Sequence, residues 1–206
     1  YAIGNNLEVI EAIEFLKGKM PIDLKQVVLE LGAYMIKLAG LGNDLEENKI
    51  KMIENVRNGK AFNKFEEMVK NQGGDISYLE DTKKFPKAKF IEPIKAKKEG
   101  YIQEINAENV GKIACSLGAG RVKKEDNIDH TVGIILEKKV SDKVQSGEII
   151  GYIHANDIEK MKNIVVLKNI PSNMIEEAFV VLKDNVKITI RPSGTEPKIK
   201  FYFEVC

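Results

Sequence analysis

The 206-residue chain has two cysteines, two histidines and almost no net charge, and each scarcity removes a class of function. Cys115 and Cys206 are far apart and form no CxxC, so neither a disulfide framework nor a thiolate metal site is expected. A reducing, cytoplasmic setting fits this usage. His130 and His154 belong to no HExxH and to no close grouping of His, Cys and Asp, which argues against structural zinc. Both are expected to serve as local caps or surface polar groups. The 32 basic and 31 acidic residues leave a formal charge of +1. That balance lacks the field of a dedicated nucleic-acid binder, although a local cluster can still hold an anion. No run of eighteen apolar residues occurs, and the amino terminus has no basic region followed by an apolar stretch, so neither a membrane span nor a secretion signal is expected. The start at Tyr1 rather than Met raises the expectation of a segment of a longer protein.

What is present is 43% hydrophobic residues, enough for one large domain or two modest ones. LEVIEAIEFLK, residues 7–17, sets Leu7, Ile10, Ile13 and Leu16 at helical spacing, with Asn5 or Asn6 as cap and Gly18 as stop. A second helix is expected over 24–39, with Leu24, Val27, Val28, Leu31, Met35 and Leu38 on its apolar side. Gly32 inside it costs about 1 kcal/mol against alanine, so either close helix packing offsets that cost or the helix is locally weak. DLEENKIKMIENVRNG opens with Asp44 and carries Glu47 three residues on, the spacing of a capping box. A fourth helix, 60–70, ends at Gly73-Gly74.

Composition shifts near residue 75. The charged, proline-containing stretch that follows reads as a linker over 76–87, feeding a first strand at 88–96. Short apolar or alternating runs then dominate (YIQEI, TVGIILEKKV, EIIGYIHA), with ENVGKIACSLGAG as an embedded helix ending in glycine. DKVQSGEII reads as the turn of a compact barrel, Gly147 permitting the reversal. A helix near 157–163, the run IVVLKN, a helix over 171–177, two strands separated by a Lys183-Asp184-Asn185 turn, and a second turn, Pro192 to Pro197, between KITI and KIKFYFEV complete the chain.

Chemistry-bearing residues are few. Cys115 sits among apolar neighbours and reads as buried. GAGRVKKEDNIDH lacks the strand, GxGxxG turn and helix order of a dinucleotide site, so Arg121 is expected to pair with Glu125, Asp126 or Asp129. No Met-Lys-Met hairpin offers a lysine for biotin or lipoate. RPSGTEPK differs: Ser193 and Thr195 bring hydroxyls, Gly194 exposes backbone N–H groups, and the Arg191 guanidinium is a planar fork suited to phosphate oxygens. The prolines on either side limit the entropy lost on ordering. Anion or phosphate binding and a rigid surface hairpin both remain open, and neither supplies a general base, nucleophile or metal.

The segments AIGNNLEVIEAIEFLKG, DLKQVVLELGAYMIKLAG, GKAFNKFEEMVKNQGGD, YIQEINAENVGKIACSLGAGR and VSDKVQSGEIIGYIHAN resemble, in order, the carboxyl-terminal half of the pyrimidine-nucleoside phosphorylases, the thymidine phosphorylase family. The resemblance covers residues 1–155. It implies that the helices complete a larger α/β domain and that residues 88–155 form an α/β hammerhead. It also implies a parent reaction in which phosphate cleaves uridine or thymidine to the free base and a pentose 1-phosphate. The family's phosphate-binding and base-reading residues lie before the GNNLEV segment, so catalytic residues are not expected here. Two ligands of a bound monovalent cation, potassium, carry over as the carbonyl of Ala2 and the carboxylate of Glu11, an incomplete set. LKDNVKITIRPSGTEPKIKFYFEV, in turn, resembles the carboxyl-terminal domain of phosphoglucomutases and phosphomannomutases. There Arg191, Ser193, Gly194 and Thr195 correspond to the loop holding the substrate's nonreacting phosphate.

The expected fold is α+β: a helical segment from a larger α/β domain (1–75), the linker (76–87), a strand-rich α/β hammerhead (88–156) and a phosphohexomutase-like tail (157–206). The expected function is that of a carboxyl-terminal fragment of a pyrimidine-nucleoside phosphorylase, inactive alone. A phosphosugar-binding module and a noncatalytic assembly module are the alternatives. Expected partners are phosphate or a phosphosugar and either a second copy, as in a dimer, or a missing amino-terminal segment, with no nucleic acid and no membrane.

Overall fold

A computed structural model describes residues 1–163 and, beyond them, the backbone of three strands, Phe179–Leu182, Val186–Pro192 and Ile199–Val205. The run IVVLKN, the helix expected over 171–177 and the turn residues 183–185 and 193–197 lie outside the described residues. The fold is mixed α+β and divides into two compact units, one of residues 9–85 and one of residues 1–8 with 86–206. The division falls inside helix α1, Asn5–Leu16.

The unit of residues 9–85 is helical. After α1 come α2 (Ile22–Leu38), α3 (Leu45–Arg57), α4 (Lys60–Asn71) and the short α5 (Ser77–Glu80). Helix α3 begins as its sequence predicts, with the Asp44 carboxylate accepting the Glu47 N–H at 2.9 Å. This satisfies one of the amides that every helix start leaves without a partner. Helix α2 starts after Pro21, two residues earlier than expected, and Asp23 lies within its first turn. Gly32 allows the close approach of α3: a Cβ there would lie 2.8 Å from the Met52 sulfur. Next to it, Ala33 is fully buried, and its carbonyl accepts the side-chain N–H of the buried Asn48 at 3.3 Å; the same amide group donates to the Gly42 carbonyl at 3.0 Å. The close-packing explanation of Gly32 is therefore the one observed.

The apolar side expected for α2 does not face its neighbour. Of its six residues Val27, Leu31, Met35 and Leu38 are exposed and Leu24 and Val28 half-buried, whereas the most buried side holds Ala33 beside Gly32, flanked by half-buried Leu29 and Ile36. Because α2 is apolar nearly all round, periodicity picks out its greasier stripe without showing which one is covered. The stretch 76–87, read as a linker from its charge and proline, contains the short α5 and a further helical turn at Thr82–Lys84. Asp75 accepts the Ser77 N–H at 2.9 Å, Asp81 accepts the Lys83 N–H at 3.0 Å, and the rings of Tyr78 and Phe85 meet edge-on at 5.1 Å. Lys17, at the end of α1, donates to the carbonyls of Leu79 and Glu80 at 2.5 and 3.1 Å. Its ammonium thus neutralises the carboxyl end of α5, where the helix leaves carbonyls unpaired.

The other unit is built on a four-stranded antiparallel sheet. Its strands are β1 (Ala2–Ile3), β2 (Phe90–Lys95), β4 (Gly133–Leu136) and β6 (Ile149–Ala155), in the order β1-β4-β6-β2. Strand β2 contains Pro93 and lies at the edge, where a missing N–H leaves no ladder bond unmade. Strand β6 runs between β4 and β2, and Ile153 pairs with Ile134 on one side and Glu92 on the other. Helix α6 (Ala107–Ala114), capped by Asn106, and the π turn Cys115–Ala119 supply Ile113 and Leu117 to a buried cluster with Val132, Ile134, Ile153 and Ala155. Met161 of α7 (Ile158–Asn163) packs against the same cluster, its unbranched thioether chain being suited to irregular gaps.

Two glycines fix how α1 enters this sheet. Gly4 and Gly133 have φ of 141° and 154°, and a Cβ on Gly4 would lie 2.5 Å from the Val132 carbonyl oxygen. A Cβ on Gly133 would collide with the Ile3 carbonyl. Only residues without side chains let these backbones meet. A two-stranded ribbon, β3 (Gly100–Tyr101) with β5 (Lys143–Val144), leads into the Gln145–Glu148 turn, where Gly147 has φ 82° and donates to the Ala96 carbonyl at 2.6 Å. The remaining strands β7 (Phe179–Leu182), β8 (Val186–Pro192) and β9 (Ile199–Val205) form an antiparallel sheet in the order β7-β8-β9.

Candidate functional site

Arg191 occupies the penultimate position of β8, paired in register with Lys200 of β9. The antiparallel pair therefore brings two cationic residue types to the end of the sheet from which the RPSGTEPK loop leaves. Ser193, Gly194 and Thr195 lie outside the described residues. Of the two cation ligands implied by resemblance, Ala2 lies in β1 opposite Ile135 and Glu11 is a half-buried residue of α1. They belong to different units. Carbonyl and carboxylate oxygens are donors of the kind a hard cation takes, but two of them fall short of a coordination shell. Among the described residues no three or more His, Cys, Asp and Glu side chains gather into a metal-binding group.

The start of α1 borders a concavity. The Glu8 carboxylate accepts the Gly4 N–H at 3.0 Å, while the Glu8 N–H donates to the Gly4 carbonyl at 2.8 Å. The Asn5 side chain donates to the Ala119 carbonyl at 2.9 Å, so the GNN sequence clamps the start of α1 against the π turn. Asn5 is thus inside the helix and holds a distant loop rather than capping its own first turn. Between these elements lies a pocket of about 170 Å³ bordered by Gly4, Glu8, Ala114, Cys115 and Gly120. Cys115 is half-buried rather than buried as expected. Among the described residues that line this pocket, Glu8 and Cys115 bring one carboxylate and one thiol, which lack the hydrogen-bonded base of a nucleophile pair.

A polar cluster that no local sequence signal announces joins Asp129, Thr131 and Asn156. Asp129 accepts from the Thr131 amide at 3.0 Å, the Thr131 hydroxyl at 2.7 Å and the Asn156 side chain at 2.6 Å. Burial pushes its carboxyl upward, but these hydrogen bonds, with the neighbouring His130, outweigh burial and hold it below the usual carboxylate range. Asp126 accepts the amides of Val122 and Lys123 at 3.0 and 2.8 Å. Two of the carboxylates expected to pair with Arg121 are therefore engaged in shaping the loop. Asn156 also receives the Lys89 N–H at 2.7 Å, which ties the entry to β2 to the end of β6.

His154 is buried in β6, between Gly133 of β4 and Ile91 of β2. Its expected surface or capping role is corrected by that central position. Burial pushes its imidazole below the ordinary histidine value, which favours the neutral ring. His130 stays exposed, and its carbonyl accepts the Asn6 N–H at 3.0 Å. Neither histidine lies in a metal-binding cluster among the described residues.

Comparison with known proteins gives two matches along the chain. The family described as "Pyrimidine nucleoside phosphorylase C-terminal domain" matches residues 101–171, and that described as "Phosphoglucomutase/phosphomannomutase, C-terminal domain" matches residues 139–206. A pyrimidine-nucleoside phosphorylase of Bacillus subtilis (strain 168) is 49% identical over 156 residues, which are 76% of this chain and 36% of the relative. One from Staphylococcus aureus (strain USA300) is 46% identical over 155 residues, 75% of this chain and 36% of the relative. The chain therefore spans little more than a third of the length of these relatives. In sequence, residues 1–155 resemble the carboxyl-terminal half of the pyrimidine-nucleoside phosphorylases, and residues 180–205 resemble the phosphate-loop region of the phosphoglucomutase and phosphomannomutase family.

Proposed function

We propose that this chain supplies the carboxyl-terminal part of a pyrimidine-nucleoside phosphorylase and does not carry out phosphorolysis by itself. The observation that carries this reading is the 46–49% identity to named phosphorylases over three quarters of the chain. The parent reaction breaks the bond between the anomeric carbon and the base nitrogen. A phosphate oxygen forms the new bond to that carbon, and the base leaves with the bonding electrons and takes up a proton. Such a reaction needs groups that hold phosphate and polarise the base. The described residues offer structural carboxylates and a buried neutral imidazole, whose arrangement supports a scaffold role.

The test is release of uracil or thymine from uridine or thymidine in phosphate buffer by the purified chain. No release above the phosphate-free control is expected; phosphate-dependent turnover by the chain alone overturns the noncatalytic assignment.

The match to the phosphohexomutase domain favours a second reading for the tail, that of a phosphosugar-binding element centred on Arg191, Ser193, Gly194 and Thr195. A planar guanidinium with neighbouring hydroxyls and N–H groups suits three phosphate oxygens. Titration with glucose 1-phosphate should then show saturable binding that is lost in Arg191→Ala and Thr195→Ala. Binding unchanged by both substitutions rejects that role.

A further inference from the structure

The β7-β8-β9 sheet sorts its residues by face. Residues opposite one another in an antiparallel pair share a face, and successive residues along a strand alternate between faces. The register of β8 on β9 therefore sets Ile188, Ile190, Phe201 and Phe203 on one face. The other face takes Lys187 with Glu204, Thr189 with Tyr202 and Arg191 with Lys200. Charge is matched at one end of that face and doubled at the other. Like charges directly opposite each other destabilise a sheet, because such residues have Cβ atoms only about 4.5–5.5 Å apart. Strand β7, FVVL in sequence, brings no carboxylate. Glu204 lies roughly 13 Å along β9 from Lys200 at the rise of a strand, beyond the about 8 Å at which salt screens exposed charges. In the sequence that connects the strands, Glu196 and Lys198 offset each other. The Arg191–Lys200 pair thus keeps a cost that a bound dianion would offset.

We propose that this cationic end of the sheet binds pentose 1-phosphate, the product of the parent phosphorolysis, with Lys200 acting beside Arg191 on its phosphate. The inference rests on the phosphorylase reading and on the phosphosugar reading of the tail, and it names the ligand and a further residue for that tail. Phosphorolysis leaves the sugar as a phosphate monoester, which carries about two negative charges at pH 7. A guanidinium fork offers two parallel hydrogen bonds to such a group and an ammonium offers a point charge. Thr189 and Tyr202, the next pair on the face, bring hydroxyls about 7 Å further along the strands, within the span of a sugar ring. The phosphorylase match, residues 101–171, and the mutase match, residues 139–206, run into each other on one polypeptide. The sugar 1-phosphate that the tail meets at the highest effective concentration is then the pentose made by the enzyme it is joined to.

Calorimetric titration of the purified chain with ribose 1-phosphate, glucose 1-phosphate and inorganic phosphate separates the sources of the phosphate group. Ribose 1-phosphate should bind saturably, at least as tightly as glucose 1-phosphate and about tenfold or more tighter than inorganic phosphate. Lys200→Ala should weaken its binding about tenfold or more, and Lys200→Arg should retain it. Lys187→Ala, at the far end of the same face, should leave it unchanged. Removing one of two like charges relieves the strands, so without ligand Lys200→Ala should unfold at the wild-type urea concentration or above it. Ribose 1-phosphate should raise the midpoint of the wild type more than that of the variant.

Tighter binding of glucose 1-phosphate than of ribose 1-phosphate, or an affinity for ribose 1-phosphate unchanged by Lys200→Ala, overturns the proposal and leaves the phosphosugar reading standing. Inorganic phosphate binding as tightly as ribose 1-phosphate overturns it as well, leaving a site for phosphate alone. Binding of none of the three rejects the phosphosugar reading itself. Ribose 1-phosphate binding that depends on Lys200, in a chain whose assembled enzyme releases no uracil, would reject the phosphorylase reading and leave the binding site standing.

Discussion

Replacing Gly32 by alanine sets two effects of similar size against each other. In a helix interior the substitution is worth about 1 kcal/mol in favour of folding, because alanine loses less backbone entropy. Against this, the new methyl would lie 2.8 Å from the Met52 sulfur and closer still to its terminal carbon. Relaxed nonbonded contacts lie at about 3.5–4.0 Å, so the thioether must retreat by about an ångström. Methionine has the torsional freedom to do so, which places the cost within the about 1–3 kcal/mol typical of overpacking. Gly32→Ala alone should therefore range from neutral to about 2 kcal/mol destabilising. In a Met52→Ala background the obstruction is gone, and the same change should stabilise by about 1 kcal/mol. The coupling in the double-mutant cycle is then about 1–3 kcal/mol. Urea unfolding followed by far-ultraviolet circular dichroism reads all four corners. Equal stabilisation by Gly32→Ala in both backgrounds would refute the close packing of α2 on α3.

Three further outcomes follow from the sheet-containing unit. Gly4→Ala and Gly133→Ala each force a Cβ into a backbone carbonyl at a positive φ, and should each destabilise by about 2–5 kcal/mol, measurable by urea unfolding. The Asp129 carboxyl is held below its usual range in the fold, so the stability it contributes is present above the unfolded pKa of about 3.9 and lost as pH falls through the folded value. Asp129→Asn should flatten that acid limb of the stability curve, and an unchanged slope would contradict the role of the hydrogen bonds from Thr131 and Asn156. His154 is likewise depressed. Its contribution is complete above the unfolded pKa of about 6.5 and declines as pH falls below it toward the folded value. His154→Leu should remove this decline, and imidazole NMR of the wild type should show His154 titrating below the ordinary histidine value.

Local signals made much of the helical unit legible. Asp44 and Glu47 mark the start of α3 because a cap is a short-range hydrogen bond, and Gly32 marks a close approach because only contact with a neighbour compensates its cost within a helix. Burial was harder to read. His154 resembles a polar residue at a strand end until pairing with both Gly133 and Ile91 makes its strand central. Asp126 and Asp129 resemble partners for Arg121, yet their oxygens are taken by amides and hydroxyls that the fold brings to them. The stripe of α2 was visible as apolar, but its direction depends on what α3 presents to the helix. For the candidate sites, residue chemistry singled out Arg191, and strand pairing adds Lys200 opposite it, a neighbour separated by a loop in sequence. Ala2 and Glu11 carry no local signal of cation binding and are singled out only by resemblance.

The central proposal is that the chain supplies the carboxyl-terminal part of a pyrimidine-nucleoside phosphorylase and is inactive alone. Phosphate-dependent release of uracil from uridine, followed for the chain, for the part of the Bacillus subtilis relative outside its match to this chain, and for the two coexpressed as a complex, tests it most directly. The account predicts release by the complex and by neither part alone. Turnover by the chain alone, or an intact complex that releases no uracil, would contradict it.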